Sequence, residues 1–307
     1  MLQNELDAAE ITALEIVDHR GVDWSRVRRT AYLIHQSLRY EYSGPIRDLR
    51  HRLVIVPPSK YGDQDRIMQK VSVSAPTARV KVRDDEFGNV VLDISVARVA
   101  REIVFEAWIV LERRVDAGPV ALPGELLADP RLLSVSELTR PDDGLGLAAS
   151  DLGLSGLRGL DLADAICTWV HGYMTYAHGV TAVRTTAAEA FALRGGVCQD
   201  YAHVMLSICR LLGLPARYVS GHLLGEGGTH AWVEVLVPAA TGPAAIGVAF
   251  DPTHGRRANL GYVTVALGRD YLDVAPTSGT FRAGCSGELS SRRRVALTAV
   301  DYAAESA

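Results

Sequence analysis

The chain has 307 residues, 48% of them hydrophobic and 22% charged, with a formal net charge of −4. At roughly 100 to 200 residues per domain this allows one large domain or two ordinary ones, and the apolar fraction excludes a wholly disordered chain. The mildly negative balance excludes a global field that would hold the protein on nucleic acid or an acidic membrane surface. No run of about 18 apolar residues occurs, and the opening MLQNELDAAE is acidic where a secretory signal would be basic and then apolar. The expectation is therefore a cytoplasmic protein with no membrane or nucleic-acid partner. Cys167, Cys198, Cys209 and Cys285 are too sparse for a disulfide framework in a chain of this size, which predicts free thiols.

Residues 1–25 read as an N-terminal extension, with Leu14, Val17 and Asp18 in a short helix stopped by Gly21. From Thr30 the pattern turns to period two, with Tyr32, Ile34, Leu38, Tyr40 and Tyr42 on one parity, the signature of a half-buried strand. Further strands follow over 53–56, 69–75, 79–83, 90–99 and 102–113, separated by Pro, Gly, Asp and Asn turns. This predicts an all-β sandwich domain over residues 26–116. Residues 117–160 are rich in Gly, Pro, Asp, Ser and Leu without a sustained period and read as a connector with a helical turn or two. Helical spacing begins near Asp161, with Leu162, Ile166, Trp169, Val170 and Tyr173 on one face. A second helix opens on the capping-box spacing Thr186 to Glu189, and a third runs from Cys198 to Leu212 before Gly213 and Pro215. Strands over 216–224, 230–237, 247–250, 262–266 and 292–300 complete an α+β unit assigned to residues 161–307, C-terminal strands included.

The chemistry concentrates at the third helix. Cys198, Tyr201, Ala202, Met205, Ile208, Cys209 and Leu212 share one stripe, so Cys198 heads the face that must turn to the core. The first backbone N–H groups of a helix lack partners within it and the macrodipole is positive there, so a thiolate is favoured and an oxyanion could be held. An imidazole beside the sulfur and a third group to orient that imidazole would complete the arrangement. His230 opens the strand Thr229-His230-Ala231-Trp232-Val233-Glu234, and Asp251 ends another at Phe250-Asp251-Pro252-Thr253.

These residues carry a resemblance. Gly196-Val197-Cys198-Gln199-Asp200-Tyr201-Ala202-His203, Pro215-Ala216-Arg217-Tyr218-Val219-Ser220-Gly221, Thr229 to Glu234, Asp251-Pro252-Thr253-His254 and Gly268 to Pro276 are similar, in order and spacing, to the bacterial transglutaminase-like family. Asp85-Glu86-Phe87-Gly88-Asn89 resembles that family's turn in the preceding β domain, and the likeness covers roughly residues 28 to 300. The resemblance implies an α+β papain-like cysteine-enzyme core, a helix carrying Cys packed on an antiparallel sheet, preceded by an all-β sandwich. It implies Cys198 as nucleophile, His230 as general base and acid, and Asp251 as the residue that orients His230. Gln199, Asp200, His222 and Trp232 are candidates for lining or supporting the cleft. The chain departs from the family where His222 stands in place of a common Tyr, where Ile246-Gly247 replaces Gly-Trp, and near His178, where a Pro is common.

The other cysteines read as inert: Cys167 and Cys209 lie mid-helix near apolar stripes and Cys285 in a late loop. His203 falls off the face of Cys198 and reads as structural, as do Arg269, Asp270 and Tyr271, which suggest a buried polar network. A zinc site fails on spacing, since neither C-x-x-C nor H-x-x-x-H occurs, and G-x-S-x-G and a phosphate loop are absent too. No acidic loop of the EF-hand type supports calcium, so neither metal nor cofactor is expected. The sequence therefore predicts a cysteine enzyme of thiol acyl transfer acting on a peptide, protein, or small amide or thioester, with hydrolysis slightly favoured over transfer to an amine. The alternative is a non-catalytic scaffold or binding module of the same fold.

Overall fold

The structure is a computed structural model that describes residues 15–115, 119–153 and 155–303. Leu14 and the rest of the expected N-terminal helix up to it lie outside the described residues, and the following stretch holds only a 3-10 turn, His19–Gly21, capped by the Asp18 carboxylate.

Seven strands follow: β1 (Val27–Tyr42), β2 (Ile46–Val56), β3 (Lys60–Tyr61), β4 (Gln64–Val73), β5 (Arg79–Asp84), β6 (Val90–Val99) and β7 (Glu102–Arg114). Tyr32, Ile34 and Leu38 of β1 point inward at alternate positions and meet Leu53 and Ile55 of β2, Leu92 and Ile94 of β6, and Phe105 and Ile109 of β7. Period-two burial of this kind on two facing sheets makes a sandwich core.

The chain then crosses to a second body. It comprises β8 (Val120–Leu122), α1 (Pro130–Leu133), α2 (Asp143–Gly153), α3 (Gly159–Tyr173), β9 (Thr175–Tyr176), α4 (Ala187–Leu193), β10 (Gly195–Gly196), α5 (Cys198–Leu211), β11 (Ala216–Leu223), β12 (His230–Pro238), β13 (Ala245–Asp251), β14 (Arg256–Arg257), β15 (Tyr262–Gly268) and α6 (Tyr271–Val274). Its sheet runs β14-β13-β12-β11-β15, with β8 also on the outer edge of β13. The helices cover one face, where Val204, Met205 and Ile208 of α5 meet Tyr218, Ala231, Val233 and Phe250 of the sheet. On the other face Val219, Trp232, Tyr262 and Leu267 pack with Tyr61 and Phe87 of the sandwich.

Two expectations are corrected here. The connector is structured: β8 extends the second sheet and Leu145 and Ala149 of α2 are buried in its core. Gly144, Gly146 and Gly153 lower the intrinsic helix propensity of α2, so tertiary packing rather than local preference holds it. The C-terminal strands do not belong to the second body. β16 (Thr277–Arg282) pairs with β2, and β17 (Gly287–Tyr302) pairs with β1 along its length, giving sheets β17-β1-β7-β4-β3 and β16-β2-β6-β5. Without β17, the long strand β1 would present an open edge, and Leu297 opposite Tyr32 completes the sandwich core.

The two bodies are joined where β15 would otherwise leave its backbone unpaired. Asn89, fully buried, accepts from Leu267 N–H at 2.7 Å and donates to Leu267 C=O at 2.6 Å. Gln64 does the same for Thr264, at 3.0 and 2.8 Å. Two amide side chains thus stand in for a strand, as buried backbone groups require. Among the described residues no helix is long and apolar enough to cross a membrane.

Candidate active site

The site lies where the start of α5 meets the ends of β12 and β13. Cys198 is the first residue of α5 and stays partly accessible, while the helix behind it, from Asp200 to Arg210, is buried. Asp200 accepts the Val197 N–H at 2.8 Å and the Thr181 hydroxyl at 2.7 Å, and the Gln199 amide donates to Val183 C=O at 2.9 Å. Both side chains therefore fasten the preceding loop to the helix start. The Asp200 and Tyr201 N–H groups bond to Val197 C=O. The N–H groups of Cys198 and Gln199 lie ahead of the first intrahelical bond, facing the positive end of the dipole.

His230 opens β12 opposite Gly221 of β11. That glycine is required by close approach: a Cβ there would stand 2.0 Å from Val263 O and 2.5 Å from Trp232 Cη2. Trp232 is buried core beneath the site, its ring 6.0 Å from that of His230 and edge-on to Tyr262. It supports the imidazole and does not line an open cleft. Gly247, one of the departures from the family, has a similar reason, since a Cβ there would lie 2.5 Å from the carboxyl carbon of Glu234, which Arg217 holds at 2.7 Å.

Asp251 ends β13 with its carboxylate fully buried and every lone pair directed. Its Oδ2 lies 2.8 Å from His230 Nε2, 2.7 Å from His254 Nδ1 and 2.7 Å from the Tyr262 hydroxyl, while Oδ1 accepts the Thr253 N–H at 2.9 Å. Glu226, in the turn between β11 and β12, closes the ring from the solvent side, 3.1 Å from His230 Nδ1 and 3.2 Å from His254 Nε2. Burial opposes an imidazolium at His230, but hydrogen bonds with Asp251, with Cys198 and with Glu226 outweigh it and push the group up to about 11. Hydrogen bonds to Asp251 and Glu226 likewise raise His254 to about 9. Desolvation works against the Asp251 anion, yet bonds from His230 and His254 hold its carboxyl far below the usual range. Cys198 is thus one of the groups that favour the charged imidazole, which Asp251 holds through Nε2.

His222 stands elsewhere. It is buried against the sandwich, 3.3 Å from the Gln36 amide of β1 and 3.4 Å from Gly228 C=O, so the residue expected to line or support the cleft lies between the two bodies instead. Burial pushes it down to about 4. His203 accepts the Tyr271 N–H at 3.2 Å, and Asp270 accepts from Leu138 and Leu272, so these residues brace α5 against α6. Cys167 and Cys209 are buried, and desolvation pushes both thiols up to about 12.

Glu226 and His254 were not singled out by sequence reasoning, and His254 entered only as the end of a motif. Their one signal is proximity in sequence to His230 and Asp251, four and three residues away. His230, Asp251 and His254 place three donor atoms within 4.8 Å of one another. With three hydrogen donors already on Asp251 Oδ2, these contacts form a proton-bridged network.

Comparison with known proteins agrees with this architecture. Residues 154–244 match the transglutaminase-like superfamily core, and residues 32–112 match the bacterial transglutaminase-like N-terminal region. The chain is 37% identical over 127 residues to the Mycobacterium leprae "Uncharacterized protein ML0607", covering 38% of this chain and 43% of that one. It is 32% identical over 175 residues to the Mycobacterium tuberculosis "Uncharacterized protein Rv2569c", covering 53% and 54%. It therefore spans about half the length of the curated relatives it matches. A crystal structure of a "Putative Cysteine Protease from Cytophaga hutchinsonii" is similar over 91% of this chain and 94% of that one, with a TM-score of 0.67 at 19% identity, a likeness of fold.

Proposed function

We propose that this chain, which belongs to the bacterial transglutaminase-like family, is a cysteine enzyme that transfers an acyl group from an amide, peptide or thioester through a thioester to Cys198. The observation that carries the reading is the buried His230, bonded through Nε2 to Asp251 and raised in part by Cys198, which stands at a helix start. Sulfur, imidazole and carboxylate in that order are the chemistry of a thiol nucleophile, its acid and base, and the group that fixes the tautomer.

The steps follow from the proton inventory. His230 is held as an imidazolium, so Cys198 reacts through its thiolate, its proton having gone to solvent, and the sulfur forms a bond to the substrate carbonyl carbon. The oxyanion lies toward the free N–H groups at the start of α5. The His230 proton then goes to the leaving nitrogen as its bond to carbon breaks, which leaves Cys198 acylated and His230 neutral. Water, or an amine, gives its proton to His230 as its oxygen or nitrogen attacks, and the carbon–sulfur bond breaks. Hydrolysis of a peptide-like amide is favoured slightly, because water is always at hand.

The test is acylation by p-nitrophenyl acetate, read by peptide mass spectrometry. A stoichiometric burst with the acetyl group on Cys198, lost in Cys198→Ala and strongly slowed in His230→Ala, is the expected result. Acetylation of Cys198 no faster than of Cys285, indifferent to His230, would instead favour a scaffold or binding module with the same fold.

A further inference from the structure

The atom on which the proposed chemistry depends is His230 Nδ1, because Nε2 is held by Asp251 at 2.8 Å. Glu226 Oε2 lies 3.1 Å from that nitrogen, the one through which Cys198 must exchange a proton with His230 once Nε2 is taken. The other oxygen of Glu226 faces His254 Nε2 at 3.2 Å, and His254 Nδ1 returns to Asp251 at 2.7 Å. All four ring nitrogens thus face carboxylates, which makes both imidazoles donors at both ends. Two imidazoliums and two carboxylates sum to zero. The cluster is electrically complete without a thiolate, and each anion at Nδ1 weakens the demand for the other.

The two competitors differ in how they are held. Cys198 is fixed by the helix. Glu226 sits at 40% side-chain exposure in the turn Leu224-Gly225-Glu226-Gly227-Gly228-Thr229, where Gly225 takes a φ of +92°, open to few residues but glycine. The turn is fastened at its base, by Leu224 N–H to Gly261 C=O and Glu226 N–H to Leu223 C=O. The Glu226 side chain reaches both imidazoles while staying partly exposed, and Cys198 is partly exposed too, so a molecule arriving from solvent can meet both.

We propose that Glu226 is a latch: in the free protein it takes part of the His230 Nδ1 proton from the Cys198 sulfur, and an incoming acyl donor displaces it. This rests on the reading of Cys198 and His230 given above, and it adds a control residue that the three-residue arrangement lacks. Acid is not its release, because hydrogen bonds to His230 and His254 hold the Glu226 carboxyl down to about 2.

The experiment is the rate of iodoacetamide labelling of Cys198 at neutral pH, with Cys285 in the same molecule as internal reference. Iodoacetamide is small and uncharged and need not displace the turn. In Glu226→Gln the competitor loses its charge and keeps its size, and Cys198 should label roughly fivefold faster, the equilibrium worth of about one hydrogen bond. Cys285 labelling should not change, which reports that the fold is intact. In the double variant Glu226→Gln with His230→Ala the gain should vanish, since the latch acts only through His230. Unchanged or slower labelling in Glu226→Gln, with His230→Ala still slowing Cys198, overturns the latch alone. Cys198 labelling indifferent to His230→Ala overturns the underlying reading instead.

Discussion

His222 and His230 stand almost side by side, since Gly221, the residue before His222, lies directly opposite His230 in the β11–β12 pair. Both are nearly sealed from water, at 1% and 2% exposure. Their charges nonetheless diverge: burial pushes His222 down to about 4, while His230 is pushed up to about 11 against the same penalty. The difference is company. His230 has a carboxylate on each nitrogen, whereas His222 has an amide and a carbonyl, with the Arg293 guanidinium adding to the cost of charging it. Desolvation sets the default for a buried histidine, and only paired anions reverse it.

The sharpest way to break this contrast is to remove the anion. Asp251→Asn keeps the shape of the side chain but leaves the imidazoles of His230 and His254 without their shared carboxylate. We expect acyl transfer to fall about 10³- to 10⁴-fold, as when an orienting acid is lost from such an arrangement. Folding stability should drop by about 3 kcal/mol, because two buried or half-buried cations lose their partner. Steady-state kinetics and urea denaturation measure the two effects. Retention of most activity would mean that Asp251 does not orient His230.

The second test acts on the other histidine. The folded-state value of His222 lies below the unfolded one, so the folded protein binds fewer protons, and stability is present above about pH 6.5 and lost as pH falls toward 4. That loss amounts to up to about 3 kcal/mol for a group so deeply buried. His222→Gln preserves a polar partner for Gln36 and cannot charge. Its urea midpoint should therefore fall less between pH 7.5 and pH 4.5 than that of the unsubstituted protein. His230 has the opposite sign: its contribution is complete below about pH 6.5 and fades as pH rises toward 11. Acid unfolding should thus report His222 and not His230, and superimposable acid limbs in the two proteins would refute that assignment.

How much of this was legible in the sequence depends on how local the determinant is. Cys198 could be read because a helical stripe and two stop signals place it at a helix start, and His230 and Asp251 because strand patterns bracket them. The α+β core after a β-sandwich was likewise readable from the switch between periods of two and about 3.6. What failed was closure at long range. The strand at 292–300 has the right period but nothing in it says that its partner is β1, more than 250 residues earlier in the chain. His222 was placed in the cleft because strand parity does not tell which body covers the end of β11. Glu226 was passed over because Gly-Glu-Gly-Gly signals only a turn, and its meaning arises from two imidazoles brought together by separate strands.

The smallest predicted effect concerns the third donor on Asp251. The Tyr262 hydroxyl gives one hydrogen bond to Oδ2 at 2.7 Å and accepts another from Arg256 Nε at 3.2 Å. In Tyr262→Phe the ring still packs edge-on against Trp232, so the loss is confined to the hydroxyl. Asp251 keeps both imidazoles, the stronger, charge-assisted partners. Stability should fall by about 1 to 2 kcal/mol and acyl transfer by less than about tenfold, with the pH dependence of Cys198 labelling unchanged. That last readout separates a merely supporting hydroxyl from one that sets the charge of the site. If Tyr262→Phe shifts the pH profile as far as Asp251→Asn does, the imidazole pair alone does not fix the Asp251 carboxylate, and the contrast between His230 and His222 must include the phenol as well.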